Sequence, residues 1–179
     1  VFADAVVREI EALGCNALCF FSTSSPDAAS GCGGFKEALS KYVCADGKCY
    51  ADVFINTIKF SLFSIRACAL DDLTKLNITV LQAYTLYRSY QEWYENFDGM
   101  SAVEVAYSVS LPEFDGIIHS CPATTMERDA EGKQVTQTIA ERMNMLVRKA
   151  KKLALLRIKP NAEKKIAIVF HNHPSTNSN

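Results

Sequence analysis

The sequence predicts an α/β fold in which a mostly parallel sheet carries helices on both faces, a three-layer, doubly wound arrangement. Short apolar runs rich in branched residues alternate along the chain with segments whose apolar residues recur every three or four positions. That alternation is typical of strands joined by crossover helices. Several of the runs are apolar throughout rather than at every second residue, which indicates parallel strands buried on both faces.

The length of the chain predicts one domain. Its 179 residues are enough for a substantial core, so we expect residues 1–179 to form a single α/β domain. Val1 already lies inside a helical pattern, and the final Ser-Thr-Asn-Ser-Asn completes no helix or strand. We therefore expect an internal fragment of a longer chain.

The first half of the chain is predicted to alternate between helices and strands. An apolar stripe that includes Val6 and Ile10 predicts a helix, and Gly14 is a typical helix end. We then expect, in order, a buried strand at 16–21, a helix at 35–43, a strand at 51–55, a helical turn at 70–76 and a strand at 78–81.

The second half begins with a capping signal. Ser101 followed three residues later by Glu104 predicts a capping box, with the helix continuing through 103–109. We then expect a short extended segment at 116–118 and a buried final strand at 166–170. Between them, a long helix is predicted from apolar residues spaced by three or four: Val135, Ile139, Met143, Leu146, Ala150 and Leu153.

Charge and composition exclude several classes. The net charge of −1 does not favour binding to nucleic acid or to an anionic membrane surface. No apolar run approaches the roughly 18 residues of a membrane span, and the charged N-terminal turns do not form a signal peptide. We therefore expect a cytoplasmic protein. Cys44 and Cys49 could be bridged in an oxidising compartment, but free thiols are expected for the seven cysteines.

Two histidines lie at the end of the predicted final strand. Pro174 cannot donate to a strand ladder, so the strand should end near it. His171 and His173 are two residues apart, so an extended backbone directs both imidazoles to the same side. In open α/β sheets, ligands bind at the carboxyl ends of the strands, which makes this strand end a candidate site.

A second candidate is the segment Leu-Pro-Glu-Phe-Asp-Gly at 111–116. It places Glu113 and Asp115 on a tight turn, with His119 just downstream. Surface turns also favour Asp-Gly, so the segment alone is unremarkable. Together with His171 and His173, it forms a possible metal or proton-transfer constellation.

Other features carry weaker signals. The run Gly31-Cys32-Gly33-Gly34 lacks the features of a phosphate-binding loop or a dinucleotide fingerprint. The aromatic residues between Tyr84 and Trp93 could stack on a flat ligand, although their helical spacing favours core packing. The basic stretch 148–165 is either a solvated helix face, which we favour, or a docking patch for an acidic partner.

Two segments resemble the large subunit of cobaltochelatase and magnesium chelatase. The first is the 111–116 segment, preceded by the Trp93 region and Asp98-Gly99-Met100. The second is Leu-Arg-Ile-Lys-Pro-Asn at 156–161, which runs through 164–168 into His171-Asn172-His173-Pro174. The resemblance covers nearly the whole chain, and members of that family are far longer.

The resemblance implies a function. These large subunits bind a tetrapyrrole and a divalent metal substrate, Co²⁺ or Mg²⁺, in the biosynthesis of cobalamin or chlorophyll-type pigments. ATP is hydrolysed on separate AAA+ ATPase and adaptor subunits and is not expected to bind here. The isolated fragment is expected to be inactive. The resemblance implies Glu113 and His171 as catalytic groups and Asn172 toward the substrate. From their positions in the sequence, we further expect Asp115 and Trp93 toward the substrate, and His171, His173, Glu113 and His119 toward the metal.

The chemistry is compatible with this assignment. Metal insertion must remove two pyrrole protons, and a carboxylate or imidazole can accept them. At position 173 the family usually has an aromatic residue, and the histidine here favours cobalt because cobalt accepts imidazole readily. Two alternatives remain open: a non-catalytic α/β ligand-binding or interaction domain, and an assembly role for the basic stretch.

Overall fold

A computed structural model describes residues 2–23, 26–45, 48–59, 61, 74 and 76–169. Two short strands, β1 (Cys44–Ala45) and β2 (Lys48–Cys49), form an antiparallel hairpin. The main sheet has four described strands, which lie side by side in chain order. They are β3 (Val53–Asn56), β4 (Thr79–Thr85), β5 (His119–Arg128) and β6 (Gln134–Thr138).

The main sheet is mixed but mostly parallel. β3 pairs parallel with β4, and β4 pairs parallel with β5, whereas β6 pairs antiparallel with β5. Tyr84 pairs with Pro122, but the next residue, Thr85, pairs with Thr124. The register between β4 and β5 therefore shifts at this point. A proline has no N–H to give to a ladder, and a bulge is a position where a strand tolerates that loss.

Helices lie between and around the strands. In chain order they are α1 (Phe2–Ala12), α2 (Gly34–Ala38), α3 (Tyr90–Glu95), α4 (Ala102–Val105), α5 (Leu111–Phe114) and α6 (Ala140–Ile158). Two π-helical segments, Leu39–Val43 and Ala106–Ser110, continue α2 and α4, and a 3₁₀ turn at Asn161–Glu163 follows α6.

Helices pack on both faces of the sheet because strand side chains alternate between the faces. One layer contains α1 and α6, and α6 covers a set of buried strand residues: Leu81, Ala83, Cys121 and Ala123. Val147 of α6 also packs with Val6 of α1. On the opposite face, Phe54 and Val80 contact the cluster built around Phe35. The α/β fold class predicted from the sequence is confirmed.

Several local predictions are confirmed. The first helix ends before Gly14, which has a φ of 73° and lies in the left-handed region. Ser101 and Glu104 form both hydrogen bonds of a capping box. The predicted helix at 35–43 and the strands near 51–55 and 78–81 are also present, as α2 with its π-helical extension, β3 and β4.

Two predicted strands are wrong. Residues 16–21 do not form a strand, and Leu18 and Phe21 are 66% and 77% exposed. Residues 166–169 do not form one either, with Ile166 and Val169 83% and 91% exposed. An apolar run becomes a buried strand only when neighbouring strands complete its hydrogen bonds, and neither run has such neighbours within the described part of the chain.

Two boundaries are also wrong. The long helix begins at Ala140, and Val135 lies in β6. The segment expected to be extended at 116–118 is not part of a strand: Asp115 and Gly116 form a turn, the N–H of Ile117 donates to the carbonyl of Pro112, and β5 begins at His119. The turn expected at 70–76 falls largely outside the described residues, as does Phe170 of the last predicted strand.

Two further expectations concern thiols and membranes. The six described cysteines are free thiols, as expected, whereas Cys68 lies outside the described residues. Within the described ranges, no helix is both long enough and apolar enough to cross a membrane.

Candidate functional site

Glu113 lies on a tightly organised turn. Pro112 occupies the first turn of α5 and is buried, and its carbonyl accepts hydrogen bonds from the N–H groups of Asp115 and Ile117, at 3.0 and 3.1 Å. The left-handed conformation that follows is taken by Gly116, with a φ of 80°. Glycine adopts this conformation without steric cost. The turn therefore presents Glu113 at the surface, where its side chain is exposed.

Asp115 points the other way. Its side chain is only 6% exposed, and one carboxylate oxygen accepts a 2.6 Å hydrogen bond from the hydroxyl of Ser61. Ile117, two residues later, is 1% exposed and belongs to the core cluster around Phe35. Buried side chains thus anchor the turn on the C-terminal side of Glu113.

A buried pair of amides links the segment after β3 to the centre of the sheet. Asn56, the last residue of β3, donates from Nδ2 to Oε1 of its register partner Gln82, at 2.7 Å. Both amide groups also donate to the carbonyl of Ile58. Because Ser61 lies only three residues beyond Ile58, the chain leaving β3 is attached both to β4 and to the turn that carries Glu113.

Sequence reasoning missed this amide pair. The available signal was a polar residue inside or directly after an apolar strand: Gln82 follows Leu81, and Asn56 follows Ile55. Buried polar groups need hydrogen-bond partners, so each amide predicted a partner, but the sequence did not identify it.

A second buried polar group, the carboxylate of Glu104, contacts the segment that leaves the carboxyl end of β4. The Glu104 carboxylate accepts hydrogen bonds from the N–H groups of Tyr87 and Ser101, at 2.9 and 3.0 Å. Its Oε2 atom also lies 3.5 Å from a guanidinium nitrogen of Arg88. Burial by itself would raise the pKa of the Glu104 carboxyl. The hydrogen bonds from Tyr87 and Ser101 outweigh burial and hold that pKa below its ordinary value. Glu104 therefore fixes α4 to the end of β4 as an ionised group.

His119 lies on the face of the sheet covered by α6. It is the first residue of β5 and pairs in register with Leu81, which packs in the cluster that includes Leu146 of α6. Partial burial lowers the pKa of the His119 imidazole, and the positive charge of Lys149 lowers it further. The imidazole is therefore neutral near pH 7, the form that accepts a proton or binds a metal.

Trp93 belongs to a partly buried aromatic cluster. Its ring lies 5.6 Å from that of Tyr90, and the guanidinium of Arg142 lies 5.5 Å from its centroid. Trp93 also packs against the buried group formed by Tyr84, Leu86 and Ile139. These contacts account for part of its surface, and its predicted contact with a substrate stays a prediction.

The predicted metal ligands are only partly described. Within the described ranges, no group of three or more His, Cys, Asp or Glu side chains is arranged to hold a metal ion. His171, Asn172 and His173 lie outside the described residues, so their predicted roles stay predictions. Of the four predicted metal ligands, Glu113 and His119 lie within the described residues.

The basic stretch is partly used inside the fold. Lys151 donates from Nζ to the carbonyl of Leu13 at 2.7 Å, which ties α6 to the end of α1. Arg157 donates to the carbonyl of Asn77. Exposed cations remain at Arg148, Lys149 and Lys152, which line a shallow groove along α6.

Comparison with known proteins identifies a family. The family model described as CobN/Magnesium Chelatase matches residues 1–179. The aerobic cobaltochelatase subunit CobN of Pseudomonas aeruginosa is 31% identical over 131 residues, which cover 70% of this chain and 10% of that protein. The chloroplastic magnesium-chelatase subunit ChlH of rice, Oryza sativa subsp. indica, is 27% identical over 184 residues, covering 98% of this chain and 12% of that protein.

Two further relatives extend the comparison. An uncharacterized protein of Methanocaldococcus jannaschii is 30% identical over 154 residues, covering 80% of this chain and 12% of that protein. The solved structure of the catalytic subunit of cobaltochelatase from Mycobacterium tuberculosis matches with a TM-score of 0.68 and 25% identity, over 91% of this chain and 14% of that one. The chain thus spans about one eighth of the length of these proteins.

Proposed function

Because the chain belongs to the CobN/magnesium chelatase family, we propose that it acts within the large subunit of a metal chelatase that inserts Co²⁺ or Mg²⁺ into a tetrapyrrole. The proposal includes dependence on ATP, which is hydrolysed on AAA+ ATPase partners joined through adaptor subunits in the cytoplasm. The absence of a phosphate-binding loop from the sequence is compatible with that division of labour. The names of the relatives support the reaction class.

Metal insertion demands two things of a protein site. Two protons must leave the pyrrole nitrogens, and the metal ion must exchange its waters for ring nitrogens. A carboxylate can accept a proton and can also offer oxygen ligands to the arriving ion. Glu113 suits this role because its side chain is exposed while the turn beneath it is anchored.

The contrast between Glu113 and Asp115 carries the proposal. Asp115 is buried and its carboxylate is held by Ser61, so it suits a positioning role, in which it orients the turn. Glu113, two residues before Asp115, is exposed and therefore accessible to a substrate. A rigid support under an accessible carboxylate is the arrangement that a proton acceptor needs.

Substrate and metal contacts complete the proposed site. We assign Trp93 and Asn172 to the substrate side and Glu113, His119, His171 and His173 to the metal side, and Asp115, expected from the sequence to face the substrate, to positioning of the turn. His119 is neutral near pH 7, which permits metal binding or proton uptake. Histidines favour cobalt over magnesium, because magnesium prefers oxygen ligands.

The test is metal insertion by the full-length parent subunit with its ATPase partners. Cobalt and magnesium are offered in parallel with a corrin precursor and with a protoporphyrin, and the ring absorbance is followed. One metal and ring pair should be converted only with ATP. Glu113→Gln should lower the rate by at least ~10²-fold, the lower range for loss of a general base. Glu131→Gln, which alters an exposed carboxylate in the turn between β5 and β6, serves as the matched control.

The competing hypothesis is a non-catalytic binding or interaction domain. It predicts no metallation of either ring by the parent subunit, even with partners that are active on another large subunit. If the Glu113→Gln variant inserted metal at an unchanged rate, the chelatase hypothesis would stand, but Glu113 would no longer be a candidate for the proton acceptor.

A further inference from the structure

Two cysteines face each other across the β1–β2 hairpin. Cys44 in β1 and Cys49 in β2 are register partners. Both are free and half-buried, and both pack against the core cluster that contains Val43 and Leu39. The sequence indicated this pair as one that could be bridged, but seven cysteines allow many combinations, and the register of the hairpin is what places the two side by side.

The ladder geometry brings their side chains close. The N–H of Tyr50 donates to the carbonyl of Val43 at 2.9 Å, so these two residues form a hydrogen-bonded pair. The next pair along an antiparallel ladder is the non-hydrogen-bonded kind, in which the Cα atoms lie about 4.5 Å apart. That separation lies within the range that a disulfide can span, about 4.4–6.8 Å.

The thiols also interact with each other. Burial raises the pKa of the Cys44 thiol to about 11, and the neighbouring Cys49 thiol adds to that rise. The Cys49 thiol approaches the carbonyl of Ala51 at 3.5 Å.

We propose that Cys44 and Cys49 form a reversible redox modification site, closed by thiol–disulfide exchange with a low-molecular-weight disulfide. The Cys49 thiolate attacks one sulfur of that disulfide, and one small thiol leaves. Cys44 then loses its proton, attacks the Cys49 sulfur and expels the second small thiol. Two protein thiols are oxidised by two electrons, and the small disulfide is reduced to two thiols.

Cys44 is the resolving thiol in this sequence of steps. Burial raises the pKa of its thiol, and its side chain lies in register with that of Cys49, so we assign the first attack to Cys49. The Cys44 sulfur is then already positioned beside the bond that it must break.

The modification would act on a defined part of the fold. The hairpin joins the π-helical segment Leu39–Val43 to β3, and β3 ends at Asn56 in the buried amide pair. A disulfide between Cys44 and Cys49 would link the two strands of the hairpin covalently and so constrain the segment that leads into β3. In a compartment rich in reduced thiols, the bond would open again, as expected for a regulatory rather than a structural disulfide.

The test is oxidation of the full-length subunit in glutathione buffers of graded composition. Thiols are trapped by acid and alkylation, and peptides are mapped by mass spectrometry. The Cys44–Cys49 cross-link should exceed any other cysteine cross-link by about tenfold, and dithiothreitol should remove it. Cys44→Ser should instead accumulate a glutathione adduct at Cys49. Cys19→Ser, at an exposed position, is the control and should leave the cross-link unchanged.

Two results would overturn the proposal, and both are read on the unsubstituted protein, so they do not depend on a variant folding. One is a wild-type glutathione adduct at Cys49 that persists without the cross-link. The other is that both thiols remain reduced in buffers that already oxidise Cys19. Neither result depends on chelatase activity, so the chelatase proposal is tested separately.

Discussion

Ser61 donates a 2.6 Å hydrogen bond from its hydroxyl to the carboxylate of Asp115, which lies 54 residues further along the chain. Both side chains are buried. The bond joins the segment that leaves β3 to the turn that presents Glu113. The exposed carboxylate therefore owes its position to a contact that is distant in sequence.

Removal of the Ser61 hydroxyl should destabilise the fold. In Ser61→Ala the Asp115 carboxylate loses a buried donor, and a buried group that loses a partner costs about 1–3 kcal/mol. The free energy of unfolding, measured by urea denaturation, should fall by that amount. Ser40→Ala removes an exposed hydroxyl that donates to the backbone carbonyl of Glu37, and it should change stability by less than about 0.5 kcal/mol. Equal effects of the two variants would contradict the importance assigned to the Ser61–Asp115 bond.

The amides of Asn56 and Gln82 should be energetically coupled. Each side chain donates to the Ile58 carbonyl, and one donates to the other. Asn56→Ala and Gln82→Ala should therefore each lower the free energy of unfolding. The double variant should lose less than the sum, with a coupling energy of about 1 kcal/mol. Strict additivity in the double-mutant cycle would show that the two amides act independently.

Glu104 should make the protein sensitive to acid. Its pKa in the folded state lies below the ordinary 4.5, so the unfolded state binds more protons as the pH falls. The stabilisation is complete above about pH 4.5 and is lost as the pH falls through the lower, folded-state pKa. Glu104→Gln should flatten the decline of the unfolding free energy in this range.

A matched control is Glu95→Gln, which removes the same charge from an exposed position on α3. It should leave unchanged the decline of the unfolding free energy at acidic pH. A decline that is the same in wild type and in Glu104→Gln would mean that other carboxyl groups cause the acid sensitivity.

His119 should titrate below its ordinary value of 6.5. The unfolded state then binds more protons than the folded state, so this group lowers stability as the pH falls below about 6.5. NMR titration of the imidazole protons measures the pKa directly. Lys149→Gln should raise it only in part, because burial is the larger cause. Lys152→Gln is the control on the same helix, and a pKa at or above 6.5 in the wild type would contradict the partial burial of the imidazole.

The sequence predicted features that depend on neighbours along the chain. The Ser101–Glu104 capping box and the helix end at Gly14 follow from spacings of one turn or less. The alternation of strands and helices predicted the α/β class for the same reason. The capping box formed by Ser89 and Glu92 has the same spacing and could have been predicted.

The sequence was a weaker guide to strands. β5 and β6 were missed because their residues are largely polar, and β5 contains Pro122. The apolar runs at 16–21 and 166–169 were predicted to be strands and are not. A strand needs hydrogen-bond partners from elsewhere in the chain, and composition within a short window does not reveal whether they are present.

By itself, the sequence determined the fold class, the family resemblance and the residue types available for chemistry at 111–116. Only the tertiary structure decided that Glu113 is exposed while Asp115 is buried against Ser61, and that Cys44 faces Cys49. Helical caps are fixed by contacts within one turn, where few conformations compete. A contact between residues 54 positions apart, such as Ser61 and Asp115, forms only when the packing of the whole chain brings the two together. Closing so long a loop costs entropy, and many other residues compete as partners.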